Sequence, residues 1–255
     1  MKKIYYYTLV RLGMLSLPLL FGCTKSTTKA ADRVDTSERH IQFAGYDWIV
    51  RSTGGGAQGP GPNHFSSSEQ NVWVDHLGRL HLRITKVNGV WYSAEVTLRK
   101  VYGFARYAVE LQSSLGHFDP QVVGAFFIYK NDTEEADIEF STWGKPGDNN
   151  AQYVIQPGDQ QGNKYRFMWP NEVPSTSVHM IDWQESKSRF ASYTGKIADT
   201  ATAGHKIATW EYQGADNPRD QDARVKLNLW LFKGQPPTDG MEAEMVVSDF
   251  KLISL

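Results

Sequence analysis

Short runs rich in β-branched and aromatic residues alternate with turn-forming residues, and this alternation limits the possible folds more than any other feature of the sequence. The first runs cover 72–74, 80–84, 90–92, 107–111 and 122–129. Later runs cover 151–156, 179–183, 189–193, 225–232 and 245–252. Each has the length of a strand, and no stretch has the sustained apolar spacing of three and four residues typical of a long helix. The sequence therefore predicts an all-β sandwich.

Two turn sequences indicate that neighbouring strands pair antiparallel. Residues 75–78 read Asp-His-Leu-Gly, and residues 86–89 read Lys-Val-Asn-Gly. Gly, Asn and Asp accept the positive φ angles that tight hairpins need. Residues 52–63, where Gly and Pro dominate, are predicted to form a loop, and 231–240 is a place where short loop helices can form.

The first 22 residues have the pattern of a secretory signal. Lys2 and Lys3 precede an apolar run at 12–20, which is shorter than the about 20 residues needed to cross a bilayer. The sequence Leu-Phe-Gly-Cys ending at Cys23 resembles the lipobox of bacterial lipoproteins, which implies that Cys23 becomes the acylated first residue. The alternative is that Cys23 is an ordinary residue in an uncleaved hydrophobic tail.

The composition fits one exported domain on a tether. Cys23 is the single cysteine, so it has no intramolecular disulfide partner, and acylation explains its presence. Residues 23–38 are rich in Ser, Thr, Ala and charge and are predicted to be a tether, which leaves 39–255 as a single domain. The net charge of -1 shows no excess of basic residues, so we do not expect the protein to bind nucleic acid. We expect a monomer that is anchored to the bacterial envelope, at the outer membrane or cell surface.

Three acids follow one another at alternate positions in the segment 131–140. Side chains on a strand alternate between faces, so Glu135, Asp137 and Glu139 are predicted to share one face. The residues between and after them are apolar and can pack into a core. Adjacent like charges disfavour ionisation, so at least one of the three pKa values should be raised.

This pattern fits a glycosidase that retains anomeric configuration. Such an enzyme needs two carboxyls about 5–5.5 Å apart, one as nucleophile and one as proton donor. Glu135 and Glu139 are four residues apart, or roughly 13 Å between Cα atoms on a straight strand, so their side chains must lean together. A solvated acidic face and a site with three carboxylates around a metal are the alternatives from these residues alone.

The segment 135–140, Glu-Ala-Asp-Ile-Glu-Phe, resembles the active-site strand of glycoside hydrolase family 16. The spacing is similar to that of the lichenase-like branch, in which the strand is regular, and differs from that of the laminarinase branch, in which a bulge adds a residue. The resemblance implies a jelly-roll sandwich of two curved antiparallel sheets with an open cleft on the concave sheet. It also implies Glu135 as nucleophile, Asp137 as its assisting acid and Glu139 as general acid/base.

Other segments resemble the family in the same order along the chain. They are Tyr-Gly-Phe at 102–104, 123–127, 150–156, 179–183, Asn-Leu-Trp at 228–230 and 248–250. The chain departs from the family's common pattern at Thr133, where a Trp often lies, and at Val109 and Glu110, near which an Arg often lies. These departures affect which sugar is held next to the cleaved bond, and therefore the identity of the substrate, more than they affect the chemistry.

Five further residues are candidates for substrate binding. Trp143 falls on the acidic face if the strand continues, although core packing or a loop position is an equal alternative. Gln152 and Gln156 share one face of their strand, where they can bind sugar hydroxyls, yet exposed glutamines are common on any sheet. Asn228 and Trp230 share the face that points away from the core. Trp183 shares its face with apolar Ile181 and is expected to be buried.

The sequence contains no evident metal or cofactor motif. The histidines lack metal-binding spacing, and the proposed chemistry requires no cofactor. Asp249 resembles a position that binds a structural calcium in some relatives, but one acid does not establish a site, and we leave it unassigned.

The sequence therefore predicts a retaining endo-glycoside hydrolase of a β-linked polysaccharide, either β-glucan or galactan. A transglycosylase with the same site and a non-catalytic glycan-binding lipoprotein are the alternatives. Clustered acids that cost stability argue against the latter.

Overall fold

The computed structural model describes residues 38–170, 176–197 and 205–253. These residues belong to one compact unit of the chain, Thr36–Leu255. The predicted signal and tether lie outside the described residues, apart from Glu38. Within the described part of the chain, no helix is long and apolar enough to cross a bilayer.

The described residues form β-strands and two single-turn 3-10 helices, Leu115–His117 and Phe232–Gly234. The strands are β1 (Arg39–Phe43), β2 (Tyr46–Val50), β3 (His64–Phe65), β4 (Val72–Val74), β5 (Leu80–Val87), β6 (Val90–Leu98), β7 (Ala105–Gln112), β8 (Val122–Asn131), β9 (Glu134–Phe140), β10 (Ala151–Ile155), β11 (Lys164–Phe167), β12 (Thr176–Gln184), β13 (Lys187–Thr194), β14 (Lys206–Tyr212), β15 (Arg224–Leu231) and β16 (Ala243–Ile253).

The strands form two layers. One layer, which we call the acid sheet, has the order β11-β10-β9-β8-β15-β6-β2-β1, and the other, the back sheet, has the order β4-β5-β16-β7-β12-β13-β14. Pairing is antiparallel except for a two-residue parallel contact between β3 and β6. The hairpin β5–β6 belongs to both layers, because β5 pairs with β16 over 80–84 and with β6 over 85–87. The predicted all-β jelly roll is confirmed.

The turn predictions are also confirmed. Asn88 and Gly89 have φ angles of 50° and 85° in the tight turn between β5 and β6, and Gly78 has 78° between β4 and β5. The loop predicted at 52–63 contains no strand, only the isolated bridge Gln58–Asn63. The sequence did not predict β1, β2, β3, β11 and β14, which are short or have mostly exposed and half-buried side chains and so lack a clear apolar run.

The apolar faces of the two sheets pack together in one core. The inner side chains of β9, Ala136, Ile138 and Phe140, are almost fully buried. From the back sheet, Trp183 is buried as predicted, and its indole donates to the Pro218 carbonyl at 2.7 Å. The core therefore fixes which face of β9 points outward.

Aromatic rings close the gap between the two edge strands β11 and β14. Tyr165 on β11 stacks on Trp210 on β14, with ring centroids 6.5 Å apart and planes at 16°. Nearby, the Tyr212 hydroxyl donates to Asn163 at 2.9 Å. These contacts cover one side of the sandwich and protect the core beneath β10 from water.

A buried histidine lies in the core under the acid sheet. His179 is 0% exposed, and its two ring nitrogens contact the hydroxyls of Ser192 at 2.8 Å and Ser177 at 2.9 Å. The ring also packs edge-on to Phe140 of β9 at 4.7 Å. Burial lowers the pKa of His179 to about 3, so the ring is neutral in the folded protein over the usual pH range.

We expect His179 to make the fold sensitive to acid. The unfolded chain takes up a proton near pH 6.5 and the folded chain only near pH 3, so this residue's contribution to stability falls by about 1.4 kcal/mol for each pH unit between those values. In His179→Gln, the free energy of unfolding, measured with urea between pH 7 and pH 4, should fall less steeply with pH than it does in wild type. His76→Gln, in an exposed turn, is the matched control. Parallel stability curves for His179→Gln and wild type would contradict the prediction.

Candidate active site

Strand β9 lies between β8 and β10 in the acid sheet. Its register with β8 runs without interruption from Glu135, opposite Tyr129, to Phe140, opposite Gly124. The irregularity in this pair occurs earlier, between Tyr129 and Asn131. The strand is therefore regular through the acidic motif, and the three acids point from the outer face, as the alternation predicted.

The three acids are removed from water to different extents. Asp137, in the middle, is 3% exposed, while Glu135 and Glu139 are partly exposed. Asp137 also hydrogen-bonds to Glu135. Three neighbouring carboxyls cannot all be ionised at low cost in such a site, so protons must be retained within the group.

The pKa shifts indicate where those protons are. Burial and the charges of Glu135 and Glu139 raise the pKa of Asp137 well above its usual range, and donation of its proton to Glu135 raises it further. Burial raises the pKa of Glu135 to about 7, while the Asp137 hydrogen bond opposes the rise and the Glu139 charge adds to it. Asp137 is thus the proton donor of the pair, and Glu135 is the acceptor.

Glu139 also has a raised pKa. Burial raises the pKa of its carboxyl, and the Gln152 hydrogen bond and the Lys164 charge oppose the rise. The Gln152 amide donates to the Glu139 carboxyl at 2.5 Å. Glu139 therefore keeps a proton to higher pH than an exposed glutamate does, while its orientation is fixed from β10.

The two predicted glutamines lie on the acid face, but their amides contact the acids. Gln152 is opposite Glu139 across the β9–β10 pair. Gln156 follows the end of β10 and donates to Asp137 at 3.2 Å, while its carbonyl accepts from the Gly158 amide at 2.7 Å. The structure therefore gives both glutamines a role in orienting carboxyls.

Asn228 and Trp230 lie on the outer face of β15, two strands from the acids. Asn228 is 2% exposed, and its amide nitrogen donates to Glu95 at 3.3 Å, while its carbonyl oxygen is buried with no partner within the described residues. Trp230 is 9% exposed and packs with Phe65 and Val123 in a small cluster separate from the main core. Both residues point away from the main core, as predicted, but Trp230 is largely covered.

The side chain of Trp143 packs against the same small cluster as Trp230, from the segment that follows β9. The strand ends at Phe140, so Trp143 takes the loop position that was the equal alternative to a continuing strand. Trp143 lies in a turn with a φ of 49°, and this backbone conformation brings its ring against the cluster formed around Trp230. The Arg166 guanidinium covers the ring at 4.7 Å from its centroid.

Sequence reasoning missed a buried ionic group on the same face. Glu95 on β6 is 1% exposed and forms ion pairs with Arg51 at 3.0 Å and Lys226 at 3.2 Å. Glu95 is the one charged residue in the run 90–97, and an acid within an apolar strand is a signal that could have identified it. Its partners come from β15 and from the loop after β2, which the sequence does not place next to it.

The remaining predicted positions lie away from the acid face or outside the described residues. Cys23 is outside them. Asp249 forms an ion pair with Lys251 at 3.1 Å. In the described part of the chain, no group of three or more His, Cys, Asp or Glu residues is arranged to bind a metal ion.

The chain has the fold of the jelly-roll β-glucanases. A prokaryotic β-1,3-1,4-glucanase (lichenase) from a mouse hindgut metagenome superposes with a TM-score of 0.60 at 17% identity, over 86% of this chain and 100% of that one. A β-glucanase of Bacillus licheniformis gives 0.58 at 18%, over 87% and 99%.

A third structure with this fold is described as an immunostimulatory antigen and pseudo β-1,3-glucanase of Mycobacterium tuberculosis. It superposes with a TM-score of 0.60 at 16% identity, over 82% of this chain and 91% of that one. No family model and no curated protein matches the sequence. At these identities the likeness establishes the fold alone.

We expect neutralisation of Glu135 to stabilise the fold above pH 4.5. Between pH 4.5 and 7 the unfolded carboxyl loses its proton while the folded one retains it, so wild type loses stability as pH rises through this window. Glu135→Gln should therefore gain about 1–3 kcal/mol at pH 8 and nothing at pH 4, measured by urea unfolding. Glu69→Gln, at an exposed carboxyl, should gain nothing at either pH. An equal gain at both pH values would count against the raised pKa.

Proposed function

We propose that the protein is a retaining endo-glycoside hydrolase of a β-linked polysaccharide. The observation that carries this proposal is the arrangement on β9, where Glu135, Asp137 and Glu139 share the outer face of a regular strand, are partly removed from water and have raised pKa values. Holding three partly buried acids side by side costs stability, and a strand with a purely structural role has no use for them. A double-displacement reaction uses all three.

In the first step Glu139 donates its proton to the glycosidic oxygen while Glu135 attacks the anomeric carbon. The bond from that carbon to the leaving oxygen breaks, and an ester bond to Glu135 forms. Asp137 donates a hydrogen bond to Glu135, which orients the nucleophile and opposes the rise in its pKa that burial causes. In the second step Glu139 takes a proton from water, the water oxygen attacks the anomeric carbon, and the ester bond to Glu135 breaks. The reaction requires no cofactor.

The position of β9 favours internal cleavage. Two strands, β10 and β11, lie on one side of it, and β8, β15, β6, β2 and β1 lie on the other. A polysaccharide crossing the acid sheet can therefore contact protein on both sides of the cleaved bond. The side chains on either side that we propose for binding are Trp143, Gln152, Gln156, Asn228 and Trp230. β-Glucan and galactan are the substrate classes to test first, since solved structures with this fold are named as β-glucanases.

The proposal predicts new reducing ends and a rapid fall in chain length when the protein is incubated with a panel of β-glucans and galactans. Glu135→Gln should remove this activity, because a carboxamide in place of the nucleophilic carboxylate does not form the ester intermediate. Proton NMR of the first product should show retained anomeric configuration. An inverted product, or full activity in Glu135→Gln, would remove Glu135 from the nucleophile role.

Glu139→Ala tests the acid/base role separately. Loss of general acid–base catalysis should cost about 10²–10⁴-fold on a polysaccharide. On a dinitrophenyl glycoside, whose leaving group needs no protonation, the first step should remain fast, and a burst of dinitrophenol should precede slow turnover. Glu69→Gln is the control and should match wild type on both substrates.

Two other functions use the same face. A transglycosylase would give longer chains together with shorter ones, so the chain lengths of the products distinguish transfer from hydrolysis. A non-catalytic glycan-binding protein is favoured by one observation, that a structure with this fold is described as a pseudo β-1,3-glucanase. That alternative predicts binding of a polysaccharide without new reducing ends, and equal binding by wild type and Glu135→Gln.

We further propose that the mature protein is a lipoprotein of the bacterial envelope, acylated on Cys23. The support is the short apolar run at 12–20, the sequence ending at Cys23 and the presence of a single cysteine. A monomer bound to its membrane by this lipid would have its substrate face free.

Expression with a labelled fatty acid in a bacterial host should label wild type and leave Cys23→Ser unlabelled. The wild-type protein should sediment with membranes, whereas Cys23→Ser should lose lipid-dependent sedimentation. Equal labelling of the two proteins would contradict acylation at this residue. Both should hydrolyse the same polysaccharide, since Cys23 lies before the predicted domain.

A further inference from the structure

The ionic group around Glu95 has a net positive charge, because one carboxylate is paired with two cations. Arg51 contacts one oxygen of the Glu95 carboxylate at 3.0 Å, and Lys226 contacts the other at 3.2 Å. The Asn228 amide adds a hydrogen bond at 3.3 Å. One buried anion is thus matched by two cations, which leaves one unit of positive charge on the outer face of the acid sheet.

That charge is directed towards the acids of β9. The Lys226 ammonium lies 4.6 Å from the centroid of the Tyr129 ring and 5.9 Å from that of Phe127. Both rings are on β8, and Tyr129 is the cross-strand neighbour of Glu135. The electron-rich ring attracts the ammonium group and limits where it can lie. The cation is therefore anchored by Glu95 at one side and by the ring beside Glu135 at the other.

We propose that Lys226 is a positioning residue, anchored on Glu95, whose ammonium group balances the charge of Glu135 across the Tyr129 ring. This inference rests on the proposed function, because it assigns Glu135 as the ionised nucleophile. In this assignment Lys226 acts through Glu135 and not on the cleaved bond itself. Its role is to keep one acid of the trio ionised while the others keep their protons.

The groups that face Glu135 from each neighbouring element are consistent with this role. They are Asp137 and Glu139 on its own strand, Asp132 in the preceding turn, Tyr129 on β8, Gln156 after β10, and Lys226 and Arg224 on β15. Burial is the largest cause of the raised pKa of Glu135, and the Glu139 and Asp132 charges add to it, while the Asp137 hydrogen bond and the Lys226 charge lower the pKa. Arg224 is opposite Tyr129, one residue pair beyond Lys226 on the same face.

The strands directly beside β9 supply no charge to the acids, so the cations come from one strand further away, Lys164 on β11 near Glu139 and Lys226 on β15 near Glu135. On β10, the residues paired with the acids are Gln152 and Val154, which carry no charge. On β8 they are Ala125, Phe127 and Tyr129. Lys226 is in register with Phe127, which is itself in register with Asp137, so a side chain reaching from β15 over β8 approaches the middle of the acid row.

The test compares Lys226→Met, which removes the charge, with Lys226→Arg, which keeps it. In Lys226→Met the acid limb of the kcat/KM profile should move to higher pH, with about a fivefold loss of kcat/KM on the acid side and little change above it. Lys226→Arg should restore the wild-type profile. Lys251→Met, which removes an ion-paired lysine from the back sheet, is the control and should leave the profile unchanged.

The same variants are then titrated without substrate, by carbon-13 NMR of protein labelled at the glutamate side-chain carboxyls. The Glu135 signal, identified by its loss in Glu135→Gln, should titrate at higher pH in Lys226→Met than in wild type or Lys226→Arg. An unchanged titration in Lys226→Met, or an equal change in Lys226→Arg, would overturn the proposal. If the wild-type protein cleaves no polysaccharide, the hydrolase assignment fails, while this titration still decides the role of Lys226.

Discussion

The presence of three carboxyls on the outer face of one core strand is the constraint on which the rest of the site depends. The inner face of β9 is fixed by Ala136, Ile138 and Phe140, which are almost fully buried. The acids therefore cannot turn inward, and their neighbours on the outer face must stabilise them where they are. The Gln152 and Gln156 amides, the shared proton of Asp137 and the cation of Lys226 each reduce the cost of that arrangement.

The sequence predicted this arrangement where a local pattern was sufficient. Alternation along 135–140 determines which side chains share a face, because the period of a strand is two residues. The Asn88-Gly89 turn predicts its hairpin, since both residues adopt positive φ angles there. The apolar neighbours of Trp183 likewise predict its burial. In each case the decisive interactions are made by residues close together in the chain.

The sequence could not supply the contacts made across strands. Glu95, Arg51 and Lys226 come from three distant segments, and only the register of β6 with β15 brings two of them together. The position of Trp143 depends on where β9 ends and on one residue with positive φ, neither of which follows from alternation. The same limit explains why the hydrogen bond from Gln152 to Glu139 was not predicted, since the two residues are thirteen apart in sequence and meet through the register of β9 with β10.

The hairpin β5–β6 joins both layers of the sandwich, and this connection limits how the protein can evolve. Neither layer is a separable module, because the strands at the junction provide hydrogen bonds to each of them. Recombination that exchanged one layer for a homologous one would have to cut through a continuous hairpin. New specificities in such a scaffold are therefore reached by point substitutions on outward-facing positions or by lengthening surface loops.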